Sequence, residues 1–178
     1  MVTESPESLW FTTANGVARY DRADGAWILH NTVNSGIVSN DVTAVAIDAT
    51  GAFWFGTATA GVSYTKSRAV WTTYTTVEGL GSNNVRDILV AADGVVWIAT
   101  EGGVVRYVNG VFSNSTVASA GLPSNSARAL AEDKQGNIWV ATDGGVARFD
   151  GATWKAFTTT DGLASNLTTA LAIAPAIS

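Results

Sequence analysis

One phrase recurs four times along the 178-residue chain: "SLWFTT" around Trp10, "AFWFGT" around Trp54, "VVWIAT" around Trp97 and "NIWVAT" around Trp139. The tryptophans are spaced 44, 43 and 42 residues apart, and the Ser-Asn pairs ending at Asn40, Asn83, Asn125 and Asn166 follow at spacings of 43, 42 and 41. A period near 42 over essentially the whole length restricts the chain to a stack of like units, because one such unit cannot bury its apolar face alone.

Within a unit, hydrophobicity alternates in short runs bounded by Gly, Asp, Asn and Ser, the pattern of strands joined by tight turns. The second unit reads as four strands, "VTAVAIDA", "AFWFGTA", "GVSYTK" and "VWTTYTT", with turns at Gly51, Gly61 and Arg68 and the crossing "EGLGSN" to the next unit. No helix of about ten residues or more fits between such turns. Tandem four-stranded units of this size predict an all-β fold, a β-propeller of antiparallel blades. Trp27, Trp71, Phe112 and Trp154 recur in the last strand, and Tyr20, Tyr107 and Phe149 in the third. These aromatics and the repeated tryptophans are expected to be packing between blades rather than a platform for ligand stacking. His30 aligns with Tyr74 and Phe157 and takes the place of a packing aromatic.

"GLPSNSARALAEDKQGNIWVATDGGVARFDGATWKAFTTTDGL" from Gly121 and "GLGSNNVRDILVAADGVVWIATEGGVVRYVNG" from Gly79 resemble the two-component regulator propeller repeat, and weaker versions of the pattern extend the resemblance over the full chain. The second unit departs from it at "TATAGVSYTK", the third has Phe112 for Trp, and the first lacks an opening strand in this reading. The resemblance implies an extracytoplasmic, periplasmic or extracellular, sensor region of the kind found in bacterial hybrid histidine kinases. There such propellers help to recognise glycan fragments.

The chain is expected to be one propeller domain over 1–178, with repeat phrases beginning near 1, 38, 81 and 123. Segment 165–174 is expected to be a strand that completes the first blade, so that terminal strands close the ring and protect open sheet edges. Four blades close as a small ring, or two chains exchanging terminal strands form an eight-bladed homodimer with two-fold symmetry. A fragment of a larger ring is the third possibility.

Fifteen Asp and Glu against ten Lys and Arg give a net charge of -5, with the basic residues scattered singly. Nucleic acid, which requires clustered positive charge, is not an expected partner. The absence of Cys removes disulfides, thiolate metal sites and cysteine nucleophiles, and a single His cannot supply a triad in each unit or a histidine metal site. No metal or cofactor is expected. "EGGV" and "DGGV" join strand to strand, whereas a phosphate cradle needs a following helix. No segment approaches the roughly 18 apolar residues of a membrane span.

The turns "TTANG", "TATAG", "TEGG" and "TDGG" fall on the same face as the "GLxSN" crossings, which places any site at the channel mouth. The candidates there are Asn40, Asn83, Asn125 and Asn166, then Arg86 and Arg128 at a position held by Thr43 and Thr169 in the other units. Their amide and guanidinium donors suit a hydroxyl-rich or carboxylate ligand. The asparagines equally serve as turn formers, since Asn bonds nearby backbone and tolerates positive φ. Glu101 and Asp143 occupy equivalent turns and make a conceivable carboxylate pair. Asp48, Asp93 and Asp133 read as turn residues, not as a calcium loop. The expected function is a non-catalytic binding or sensor module for a carbohydrate or other small polar ligand. The alternatives are a protein-protein interaction scaffold, or a propeller lyase or hydrolase using Glu101 and Asp143.

Overall fold

The computed structural model describes residues 2–5 and 8–174. Among them sixteen strands form four separate four-stranded antiparallel sheets. The first sheet holds β1 (Val2–Ser5), β2 (Ser8–Thr13), β3 (Gly16–Asp21) and β4 (Trp27–His30); the second holds β5 (Val42–Ile47), β6 (Phe53–Thr57), β7 (Val62–Thr65) and β8 (Thr72–Tyr74). The third holds β9 (Val85–Val90), β10 (Val96–Thr100), β11 (Gly103–Val108) and β12 (Val111–Ser115), and the fourth β13 (Ala127–Glu132), β14 (Ile138–Thr142), β15 (Gly145–Phe149) and β16 (Trp154–Phe157). In every sheet strand order follows chain order, the meander of a propeller blade. A short helix, α1 (Val117–Ala120), and a 3-10 turn at Thr159–Asp161 sit in the crossings.

Turn chemistry matches the sequence: Gly51, Gly61 and Arg68 adopt φ of 79°, 84° and 60°, the left-handed region that tight turns require. Consecutive sheets stack face to face, with the opening strands β5, β9 and β13 side by side along the inner line of the array. Three apolar clusters fill the three interfaces. Trp10 packs with Phe53 and Phe55, Trp54 with Val96, Ile98 and Val105, and Trp97 with Ile138, Val140 and Ala147. Trp10, Trp54 and Trp97 therefore each face the next sheet along the chain, and Trp139 stands at the end of the array.

Two features differ from the sequence reading. The first sheet draws its opening strand from Val2–Ser5, where Val2 pairs with Trp10, and segment 165–174 forms no strand within the chain. That segment lies instead against the fourth sheet, where the Thr168 amide and hydroxyl both donate to the Thr142 carbonyl. Trp27, expected to be packed, is 64% exposed, because its face of the first sheet has no neighbouring sheet among the described residues.

Candidate functional site

The turns that join the second and third strands are built on a buried threonine. The hydroxyls of Thr57, Thr100 and Thr142 donate to the carbonyls of Gly61, Gly103 and Gly145 and accept from the amides of Ala60, Gly102 and Gly144. The paired glycines then follow from sterics. A Cβ on Gly102 would overlap the Gly81 carbonyl, and one on Gly144 the Pro123 carbonyl, while Gly103 and Gly145 take φ of 131° and 140°. The "GLxSN" crossing thus rests on the backbone of the turn, and both lie on one rim of the array.

The four asparagines do one job. The side-chain oxygens of Asn40, Asn83, Asn125 and Asn166 accept the amides of Thr32, Thr76, Val117 and Thr159 at 2.8, 2.9, 2.7 and 2.7 Å. Each clamps the loop that enters its own crossing.

Arg86, Arg128 and Thr43 owe their placement to a repeated irregularity. The pairing of β10 with β9 jumps from Ala99–Asp87 to Thr100–Val85, and the same skip occurs at Thr43 in β5 and Arg128 in β13. Each skipped residue is the extra one of a β-bulge, the device that turns a side chain out of the pleat. The bulge aims Arg86 at Glu101 and Arg128 at Asp143, and each arginine forms an ion pair with the acid of its own sheet. Glu101 and Asp143 are therefore each engaged by an arginine. The hydrogen bond from Arg128 comes first among the causes that hold the Asp143 carboxyl below the ordinary Asp range, and the charge of Arg86 adds to it. A general acid needs the opposite shift. In the second sheet the equivalent residues are Thr43, whose hydroxyl donates to the Val85 carbonyl at 2.7 Å, and Ala58, so this arginine–carboxylate pairing belongs to the third and fourth sheets.

Asp48 and Asp133 are turn carboxylates. Each accepts amides within its own turn and the indole N–H of Trp54 or Trp139, at 3.0 and 2.7 Å. Sequence reasoning gave no warning of a cleft of about 400 Å³ at the opposite end of the second and third sheets, lined by Asp48, Trp54, Tyr64, Asp93, Tyr107 and Asn109. The signal was present in one substitution, Tyr64 where other units have Arg.

Four-stranded meanders stacked through repeated tryptophans define the class: an all-β propeller architecture. Residues 79–102 and 121–144 match the two component regulator propeller family, and the chain carries repeats of that family. Its structure is similar to the extracellular domain of BT3049 from B. thetaiotaomicron, described as a hybrid two component system, with a TM-score of 0.87 and 26% identity over 95% of this chain and 24% of that one. The extracellular domain of BT4673 from the same organism aligns with a TM-score of 0.75 at 20% identity, covering 93% of this chain and 23% of that one. This chain thus spans about a quarter of those relatives. Virginiamycin B lyase from Staphylococcus aureus shares the fold at 13% identity, with a TM-score of 0.70 over 94% of this chain and 57% of that one. No curated protein matches in sequence.

Proposed function

We propose that the chain is a non-catalytic binding module of an extracytoplasmic sensor, recognising a carbohydrate or another small polar ligand at the rim. The observation that carries this reading is the pair of bulge-presented arginines, each held by a carboxylate. Arg86 with Glu101 and Arg128 with Asp143 offer fixed donors and acceptors side by side, the arrangement that hydroxyl-rich molecules satisfy. The extracellular sensor domains among its structural relatives support the module and its periplasmic or extracellular placement. No helix among the described residues is long and apolar enough to cross a membrane. A lyase or hydrolase reading is weakened because both carboxylates are committed to arginines. The test is a glycan array followed by calorimetry. Arg86→Ala is expected to weaken the selected glycan about tenfold or more, the scale of a lost charge-assisted hydrogen bond; an unchanged affinity would remove the rim from consideration.

A second reading concerns the open ends. Trp139 projects from the fourth sheet as Trp97 does from the third, while Phe11, Tyr20 and Trp27 form an aromatic group on the first sheet, with Trp27 5.6 and 4.9 Å from the other two. A second copy placed head to tail would repeat the interior interface and close an eight-bladed ring, with 165–174 reaching the first sheet of the partner. Light scattering is expected to give about twice the 18.4 kDa chain mass. Trp27→Asp and Trp139→Asp should each dissociate alone and regain partial association when mixed, since the mixture restores one intact junction. A mass that never exceeds one chain defeats the ring.

A further inference from the structure

The cleft between the second and third sheets has counterparts at the other interfaces, and the comparison isolates what it lacks. In three units an arginine lies across from the repeated Trp: Arg19 from Trp10, Arg106 from Trp97 and Arg148 from Trp139. Arg106 and Arg148 stand 6.0 and 5.8 Å from the centres of Trp97 and Trp139. At the first interface Arg68 reaches over Trp10 and Phe53 at 5.5 and 5.2 Å. The second unit has Tyr64 at the position across from Trp54, and Trp54 is packed by Tyr64 and Tyr107 with ring centres 4.7 and 4.8 Å away.

The space changes accordingly. The cleft between the third and fourth sheets, lined by Arg106 with Asp93 and Glu132, measures about 130 Å³. Its equivalent beside Tyr64 measures about 400 Å³, and it keeps acidic groups, Asp48 and Asp93. Trp54 forms a buried floor at 1% exposure, while Tyr64 and Tyr107 present partly exposed rings as walls. Aromatic faces and carboxylates around one cavity attract an organic cation, above all a planar guanidinium that stacks while it donates hydrogen bonds.

We propose that this cleft binds a guanidinium group supplied from outside the chain, with Tyr64 and Tyr107 as stacking walls and Asp48 and Asp93 as counter-charges. The chemistry is the one the other interfaces satisfy internally, and the cleft lies at the end of the sheets away from the Arg86 and Arg128 rim.

Calorimetric titration of the full chain with argininamide tests this, with citrullinamide as the uncharged analogue and a capped Gly-Arg-Gly peptide as the third probe. Argininamide is expected to saturate at one site, with citrullinamide weaker by about tenfold or more, as loss of a desolvated cation over aromatic rings implies. Tyr64→Arg should abolish binding by supplying the missing group internally, with a melting temperature close to wild type showing that the chain still folds. Tyr64→Phe should retain binding. Tighter binding of the peptide than of argininamide would assign the guanidinium to a protein partner, and equal binding to a free small molecule. Citrullinamide binding as well as argininamide, the absence of saturation, or undiminished binding by Tyr64→Arg would overturn the proposal. None of these readouts involves a glycan, so their failure leaves the rim reading untouched, and the converse holds.

Discussion

Trp97 and Trp139 occupy the same position of adjacent, nearly identical repeats, yet they live in different environments. Trp97 packs against Phe149 and Trp154 of the next sheet, at 5.4 and 6.0 Å, and is 4% exposed. Trp139 stacks on Phe157 of its own sheet at 5.6 Å, under Arg148, and is only half-buried. Trp27 shows the same contrast from the other end: its equivalent Trp154 is half-buried against the third sheet and bonds Ser115, while Trp27 stands open. Burial in a repeat fold belongs to the interface, not to the residue type. The same side chain is core in the interior of the array and surface at its ends.

The largest expected effect tests that contrast directly. Trp97→Ala should cost about 3–5 kcal/mol in denaturant unfolding, the range for large aromatic truncation in a core. Trp139→Ala should cost well under half of that in dilute solution. If copies associate head to tail, its cost should grow with protein concentration; a Trp139→Ala penalty equal to that of Trp97→Ala at every concentration would erase the distinction.

A smaller effect separates turns held by close approach from those that are not. Gly102→Ala places a methyl group on the Gly81 carbonyl and should destabilise by about 1–3 kcal/mol, as overpacking against rigid backbone does. Gly51→Ala meets no atom within 4 Å and carries only the strain of φ 79°, about 1 kcal/mol. Thermal unfolding of the two variants checks the order.

The smallest effects are in pH dependence. Burial, then the charges of Arg68 and Arg19, lower the His30 pKa from its ordinary 6.5. The folded state therefore favours neutral His30; that contribution is intact above about 6.5 and is lost as pH falls through the lower folded value. The melting temperature of wild type should fall relative to His30→Phe as the solution is acidified from neutral. At the other end of the array, hydrogen bonds from Trp139 and Asn137 bring Asp133 down from 3.8 to about 2. Its contribution is present above 3.8 and lost as pH drops toward 2, and Asp133→Asn should flatten the acid limb in that window. Equal acid slopes in the two proteins would mean that the indole bond carries no linkage.

The repeat, the four strands and the turns were legible because glycine punctuation and alternating apolar residues are local properties. The recurrence of the asparagines was legible for the same reason, but not their role: none of the four takes a positive φ, and each holds a distant amide rather than nearby backbone. The opening strand at Val2–Ser5 escaped notice because "VTES" has no apolar alternation. The pairing of Glu101 with Arg86, and of Asp143 with Arg128, depends on a bulge, a register slip that leaves no mark in composition. The cleft was invisible for a related reason. The replacement of Arg19, Arg106 and Arg148 by Tyr64 stands in the sequence, but only the pairing of each with its Trp shows which space it opens.

The sequential order of strands in every sheet also governs how the molecule is made. All backbone pairing in a sheet is drawn from one contiguous stretch, and each stacking interface joins only neighbouring stretches. Long-range loop closure, the step that slows most β proteins, is largely avoided. Assembly can begin in any one sheet and spread outward, and stability is built as a sum of sheet and nearest-neighbour interface contributions. The two middle sheets, supported on both faces, are the last to open, so amide exchange should slow from either end of the chain toward its centre.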